Sequence, residues 1–104
     1  MKIKPGATLL GLVPQMVVAL LAIQDEYAKR GTEVVITSGN DGSHSEKSKH
    51  YAGMALDVRT RTLPDPEISG PLIAKILTDN LGRDFYVLFE GDHIHVQYAP
   101  KRPV

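Results

Sequence analysis

The chain has four histidines, and all of them lie in or just before two short segments. His44 precedes and His50 belongs to SKHYAGMALDVRT (48–60), while His93 and His95 belong to EGDHIHVQY (90–98), each time with an acid close by. In a strand, residues two apart share a face, so His93 and His95 project together with Cα atoms about 6.5 Å apart. That separation lets two imidazoles converge on one ion, or lets one bind metal while the other meets a substrate. Glu90 and Asp92 stand in the turn just before, near enough to put a carboxylate beside a metal-bound water. In HYAGMALD, His50 ends a loop and Asp57 lies inside a strand. Gly53 has no side chain, so the loop can fold closely over that strand. His50, Asp57 and a histidine from a neighbouring strand make three ligands and leave a fourth tetrahedral position open, as a catalytic zinc requires. Spacing alone leaves two readings open: a metal site, or exposed histidines beside solvated turn acids.

The elements that must position these residues can be read along the chain. Pro14 to Arg30 suits a helix, with proline in the first turn and a stop at Gly31. Its run Met16–Ile23 is apolar nearly all round, which predicts a substantially buried helix. EVVITS (33–38) is rich in β-branched residues and reads as a strand, and GNDGSHSEKSK (39–49) as a polar loop. MALDVR (54–59) alternates, with Ala55 and Asp57 on one face and Leu56 and Val58 on the other. RTLPDP (61–66) is a loop, and a second helix spans about 67–81, closed by Gly82. FYVLF (85–89) and HIHVQY (93–98) form a hairpin about the turn Glu90-Gly91-Asp92. This order predicts an α+β fold: one small domain over 1–104, core about 12–98, with a largely antiparallel sheet covered by helices and a loose tail at 99–104.

Composition narrows the function. At 104 residues there is room for one core. Twelve basic residues balance twelve acidic ones, so nothing points to a nucleic-acid or anionic-membrane surface. Cysteine is absent, which removes thiol chemistry and leaves imidazole and carboxylate as the metal ligands. The start, MKIKPGATLLGLVPQMVVALLA, has the basic beginning and apolar run of a secretory signal. Pro14 and Gln15 interrupt it, and it continues into IQDEYAKRG as the polar end of one helix. The uninterrupted apolar stretch falls short of the roughly 20 residues of a membrane span.

SKHYAGMALDV resembles the S-x-H-x-x-G-x-A-x-D signature of zinc peptidases that cut bacterial peptidoglycan, the D-Ala-D-Ala carboxypeptidase and L-Ala-D-Glu endopeptidase group. The hedgehog amino-terminal signalling domain shares that signature and fold. Ser48, His50, Gly53, Ala55 and Asp57 fill it, VVITSG precedes it, and DHIHVQ follows where the family places its last ligand. The likeness covers roughly residues 12–98. It implies a hedgehog/DD-peptidase-like fold and one zinc ion on His50, Asp57 and His95. It also implies Asp92 as catalytic base with Glu90 as fallback, His93 at the oxyanion or substrate, Ser48 orienting the loop around His50, and His44 at the rim. The arginine that the peptidases carry shortly after TSG is missing; Arg59 and Arg61 stand elsewhere in the sequence. The implied activity is hydrolysis of peptidoglycan stem peptides through a metal-activated water, carboxypeptidase-like or endolysin-like. The alternative is a non-catalytic, zinc-bearing, hedgehog-like interaction module. The expected molecule is a monomer without nucleic-acid partners or a membrane span. It would be cytoplasmic until released to the wall as a phage or prophage lysin, or carried on a virion, with secretion as the other route.

Overall fold

Strand alternation decides how the sheet is used. In β3 (Ala55–Arg59), Leu56 and Val58 are fully buried, whereas Asp57 and Arg59 keep partial exposure. In β5 (His93–Tyr98), Ile94 and Val96 are buried, and His93 and His95 stand on the other face. The computed structural model describes residues 1–39 and 53–100. Its remaining elements are β1 (Lys2–Ile3), α1 (Pro14–Ala28), β2 (Val35–Ser38), α2 (Pro66–Leu81) and β4 (Phe85–Phe89). One five-stranded sheet results, in the order β1-β2-β3-β5-β4. β1 runs parallel to β2, and the other three pairings are antiparallel. The fold is therefore α+β with a mixed sheet.

Both helices pack on the same face. Met16, Ala19, Leu20, Ile23 and Tyr27 of α1 join Ile73, Ala74 and Leu77 of α2 in one cluster with Ile36, Leu56, Val58, Ile94 and Val96. Burying each of those sheet residues contributes about 1.5–3 kcal/mol. The register is locked by the same burial, because a slip of one residue would turn Asp57 and His95 into the core uncompensated. The Tyr27 hydroxyl donates to the Arg59 carbonyl at 2.6 Å, tying α1 to the end of β3. Burial pushes that phenol well above its ordinary pKa.

The structure departs from the sequence reading in two places. Strand β1 has no counterpart there: two residues carry too little periodicity to be seen, and they pair with a strand some thirty residues away. Helix α1 is also less enclosed than its apolar run suggests. Val17, Val18 and Leu21 are 47%, 61% and 61% exposed, because a helix laid on one side of a sheet has only one face to bury. Helix and strand boundaries otherwise shift by a residue or two, and the β4–β5 hairpin forms as expected. Tail residues 101–104 lie outside the described residues; just before them, the Ala99 N–H donates to the Asp84 carbonyl at 2.7 Å. Among the described residues, no helix is long and apolar enough to cross a membrane.

Gly53 shows its use directly. It has φ +73°, and a Cβ there would lie 2.1 Å from the Gly11 carbonyl oxygen. The Val13 N–H donates to the Gly53 carbonyl at 3.0 Å, so this glycine seats the segment leading into α1 against the start of β3. Its lack of a side chain thus serves a contact with residues 11–13, a partner the sequence reading did not foresee.

Candidate metal centre

The face opposite the helices carries the candidate site residues. β3 and β5 are paired so that Asp57 faces His95 and Arg59 faces His93. Directly opposed side chains have Cβ atoms about 5 Å apart, which lets short polar groups meet across the ladder. Asp57 Oδ1 lies 2.9 Å from His95 Nδ1 and 3.9 Å from His93 Nε2. Both histidines and Asp57 are largely but not wholly shielded, with side-chain exposures of 17% for Asp57 and His95 and 28% for His93.

The other nitrogen of His95 decides what the first can do. Nε2–H donates to Gln97 Oε1 at 3.0 Å, with Gln97 two residues on and on the same face. In the neutral imidazole that assignment leaves the Nδ1 lone pair pointing at the Asp57 carboxylate. Two lone-pair groups 2.9 Å apart repel unless a proton or a metal cation lies between them. A proton there makes imidazolium, and the hydrogen bond to Asp57 raises the His95 pKa above its ordinary value against the opposing effect of burial. A metal cation is the other solution. Bonds of about 2.0–2.1 Å to a tetrahedral zinc place two donors roughly 3.3 Å apart. The present pair needs only a few tenths of an ångström of opening. Donor types, separation and tautomer are therefore compatible with a divalent metal ion on Asp57 and His95, zinc among others.

His93 sits between two acids. Its Nδ1–H donates to Asp92 Oδ1 at 2.7 Å, and its Nε2 lies 3.3 Å from Glu90 Oε1. Burial is the largest single influence on His93 and opposes its charge; Asp92, Asp57 and Glu90 together outweigh it, and its pKa is raised. The same hydrogen bond holds the Asp92 carboxyl below its usual range, so it is ionised at neutral pH. Asp57, Asp92 and His93 line one cavity of about 310 Å³; Glu90 is not among its lining residues. The turn carrying both acids is fastened to β3. The buried Thr60 hydroxyl donates to the Gly91 carbonyl and the Thr60 N–H donates to the Asp92 carbonyl, each at 3.1 Å. Gly91 supplies the left-handed residue of the turn, at φ +86°.

The structure thus brings together Asp57, Glu90, Asp92, His93 and His95. His44, Ser48 and His50 lie outside the described residues. Among the described residues, no group of three or more histidine, aspartate or glutamate side chains is arranged to hold a metal ion. Sequence reasoning missed Gln97, Thr60 and Tyr86, whose ring meets that of His95 edge-on with centroids 6.3 Å apart. Gln97 was within reach of the alternation rule, being two residues from His95; Thr60 and Tyr86 act through pairings that only the fold creates. Comparison with family models, curated proteins and solved structures finds no match to this chain.

Proposed function

We propose that the protein is a zinc-dependent metallopeptidase that hydrolyses an amide bond in peptidoglycan stem peptides. The observation that carries this reading is the Asp57–His95 pair, two groups 2.9 Å apart that a metal cation can bridge in place of a proton, placed beside a cavity with an ionised acid. The signature SKHYAGMALDV supplies His50 as the third ligand. Zinc held by these three residues would acidify a water and polarise the scissile carbonyl. Gln97 holds the His95 ring in the tautomer that presents Nδ1. Asp92, ionised and lining the cavity, accepts the proton of the attacking water and returns it to the leaving amine. His93, held at Nδ1 by Asp92, keeps its Nε2–H, 3.3 Å from Glu90 and not hydrogen-bonded to it, to donate toward the carbonyl oxygen as charge develops there. Such an enzyme would meet its substrate at the cell wall, as a released lysin or a virion-borne domain.

The test is a digest of purified peptidoglycan by zinc-loaded and chelator-treated protein, with the released fragments identified by mass spectrometry. New amines that appear only with zinc support the peptidase, and fragment masses name the bond. Protein shown to hold one zinc that leaves several wall types intact would replace this reading with the non-catalytic, hedgehog-like binding module.

A further inference from the structure

The cavity beside the candidate centre is bipolar. Asp57, Asp92 and His93 form one part of its wall; Lys4, Arg59 and Arg61 form another, with Thr37 and Ser38. Two segments far apart in the sequence deliver these cations. The Lys4 N–H donates to the Ile36 carbonyl at 2.8 Å, which lays Lys4 alongside β2. Arg59 lies on β3 directly across from His93, two residues from Asp57 and on the same face. Arg61 follows Thr60, whose bonds to Gly91 and Asp92 hold it at the rim of the acidic turn. A second cavity of about 510 Å³ shares Lys4 and Arg59, so the groove extends beyond them toward Thr32 and Val35.

Most of the other described cations are already paired; Arg83, which among the described residues also has no carboxylate within ion-pair distance, does not line this cavity. Lys2, Lys29, Arg30 and Lys75 each stand within ion-pair distance of a carboxylate. Among the described residues, Lys4, Arg59 and Arg61 are paired with none, although they converge on one cavity. Asp57 and Asp92 share the cavity, but neither is within ion-pair distance of Lys4, Arg59 or Arg61. These three therefore keep donors for an incoming anion, and two guanidinium groups offer the planar fork that a carboxylate accepts.

We propose that Lys4, Arg59 and Arg61 form a carboxylate-binding subsite, so that the scissile bond lies within one or two residues of a free carboxylate of the substrate. This rests on the peptidase reading for what happens at Asp57 and His95, and not for the binding itself. Arg59 and Asp57 start about 6.5 Å apart along β3, the reach of roughly two extended residues. A substrate anchored by its carboxylate on the cations would lay an adjacent amide across the cavity toward Asp57 and His93. The subsite favours cleavage near a chain end over cleavage in mid-peptide.

The test compares N-acetyl-D-alanyl-D-alanine with its C-terminal amide by titration calorimetry and by the arginine Nε–H signals in NMR, on chelator-treated and zinc-loaded protein. Expected is binding of the free acid about tenfold or more tighter than the amide. It should shift the Arg59 and Arg61 signals, with the preference lost in Arg59→Gln/Arg61→Ala and reduced in Lys4→Ala. Equal binding of acid and amide, no binding of either, or a preference that survives the double substitution would overturn the subsite. Hydrolysis is read separately. Acid preference without zinc-dependent cleavage keeps the subsite and removes the peptidase; cleavage without acid preference does the reverse.

Discussion

The two faces of the sheet are made from the same strands and serve opposite ends. On one, Ile36, Leu56, Val58, Ile94 and Val96 pack against two helices and exclude water. On the other, Thr37, Asp57, Arg59, His93, His95 and Gln97 remain partly exposed, and neither helix covers them. The first face makes the fold and is lined by apolar side chains. The second is held rigid by the first, which is how short side chains such as Asp57 can meet His95 at 2.9 Å without a helix of their own to steady them. The lesson is that a β-sheet can separate stability from chemistry residue by residue, at the period of two.

That separation can be broken from either side. The largest effect should come from Asp92→Ala, which is expected to lower zinc-dependent hydrolysis by about 10²–10⁴-fold while zinc binding and melting temperature stay close to wild type. A variant that hydrolyses at the wild-type rate would move the proton transfer to Glu90, to be checked with Glu90→Ala. The opposite substitution, Leu56→Ala, should cost about 2–5 kcal/mol in denaturant unfolding yet leave metal stoichiometry unchanged in the folded fraction. Loss of zinc from protein that is still folded would show that the two faces are not independent.

The smallest effect is the most diagnostic, because its sign depends on the metal. His95 and His93 have raised pKa values in the metal-free fold, His95 chiefly through its hydrogen bond to Asp57. Their stabilisation is therefore full below the ordinary histidine value of about 6.5 and is lost as pH rises through the raised values. Metal needs the neutral ring, so its contribution grows with pH instead. Melting temperatures of chelator-treated protein should fall by a few degrees between about pH 6 and pH 8, while the gap to zinc-loaded protein widens. A gap that stays constant across that range would mean that His95 is not a ligand.

The sequence by itself determined which residues share a face. The alternation in MALDVR and HIHVQY placed Asp57, His93 and His95 away from the core, because the pleat repeats every two residues wherever a strand forms. It also determined the two helices, the hairpin and the acidic turn, whose signals are local: Pro14, Gly82, and Glu90-Gly91-Asp92. Only the tertiary structure decided which strand neighbours which. That order sets Asp57 opposite His95 rather than His93, and Arg59 opposite His93. It brings Lys4 from an unforeseen parallel strand edge to the same cavity as Arg59 and Arg61, and lets Thr60 grip the turn. These contacts join residues some thirty to sixty positions apart in the chain. No periodicity encodes them, because they follow from the burial of the opposite face, which fixes register and strand order for the polar side as well.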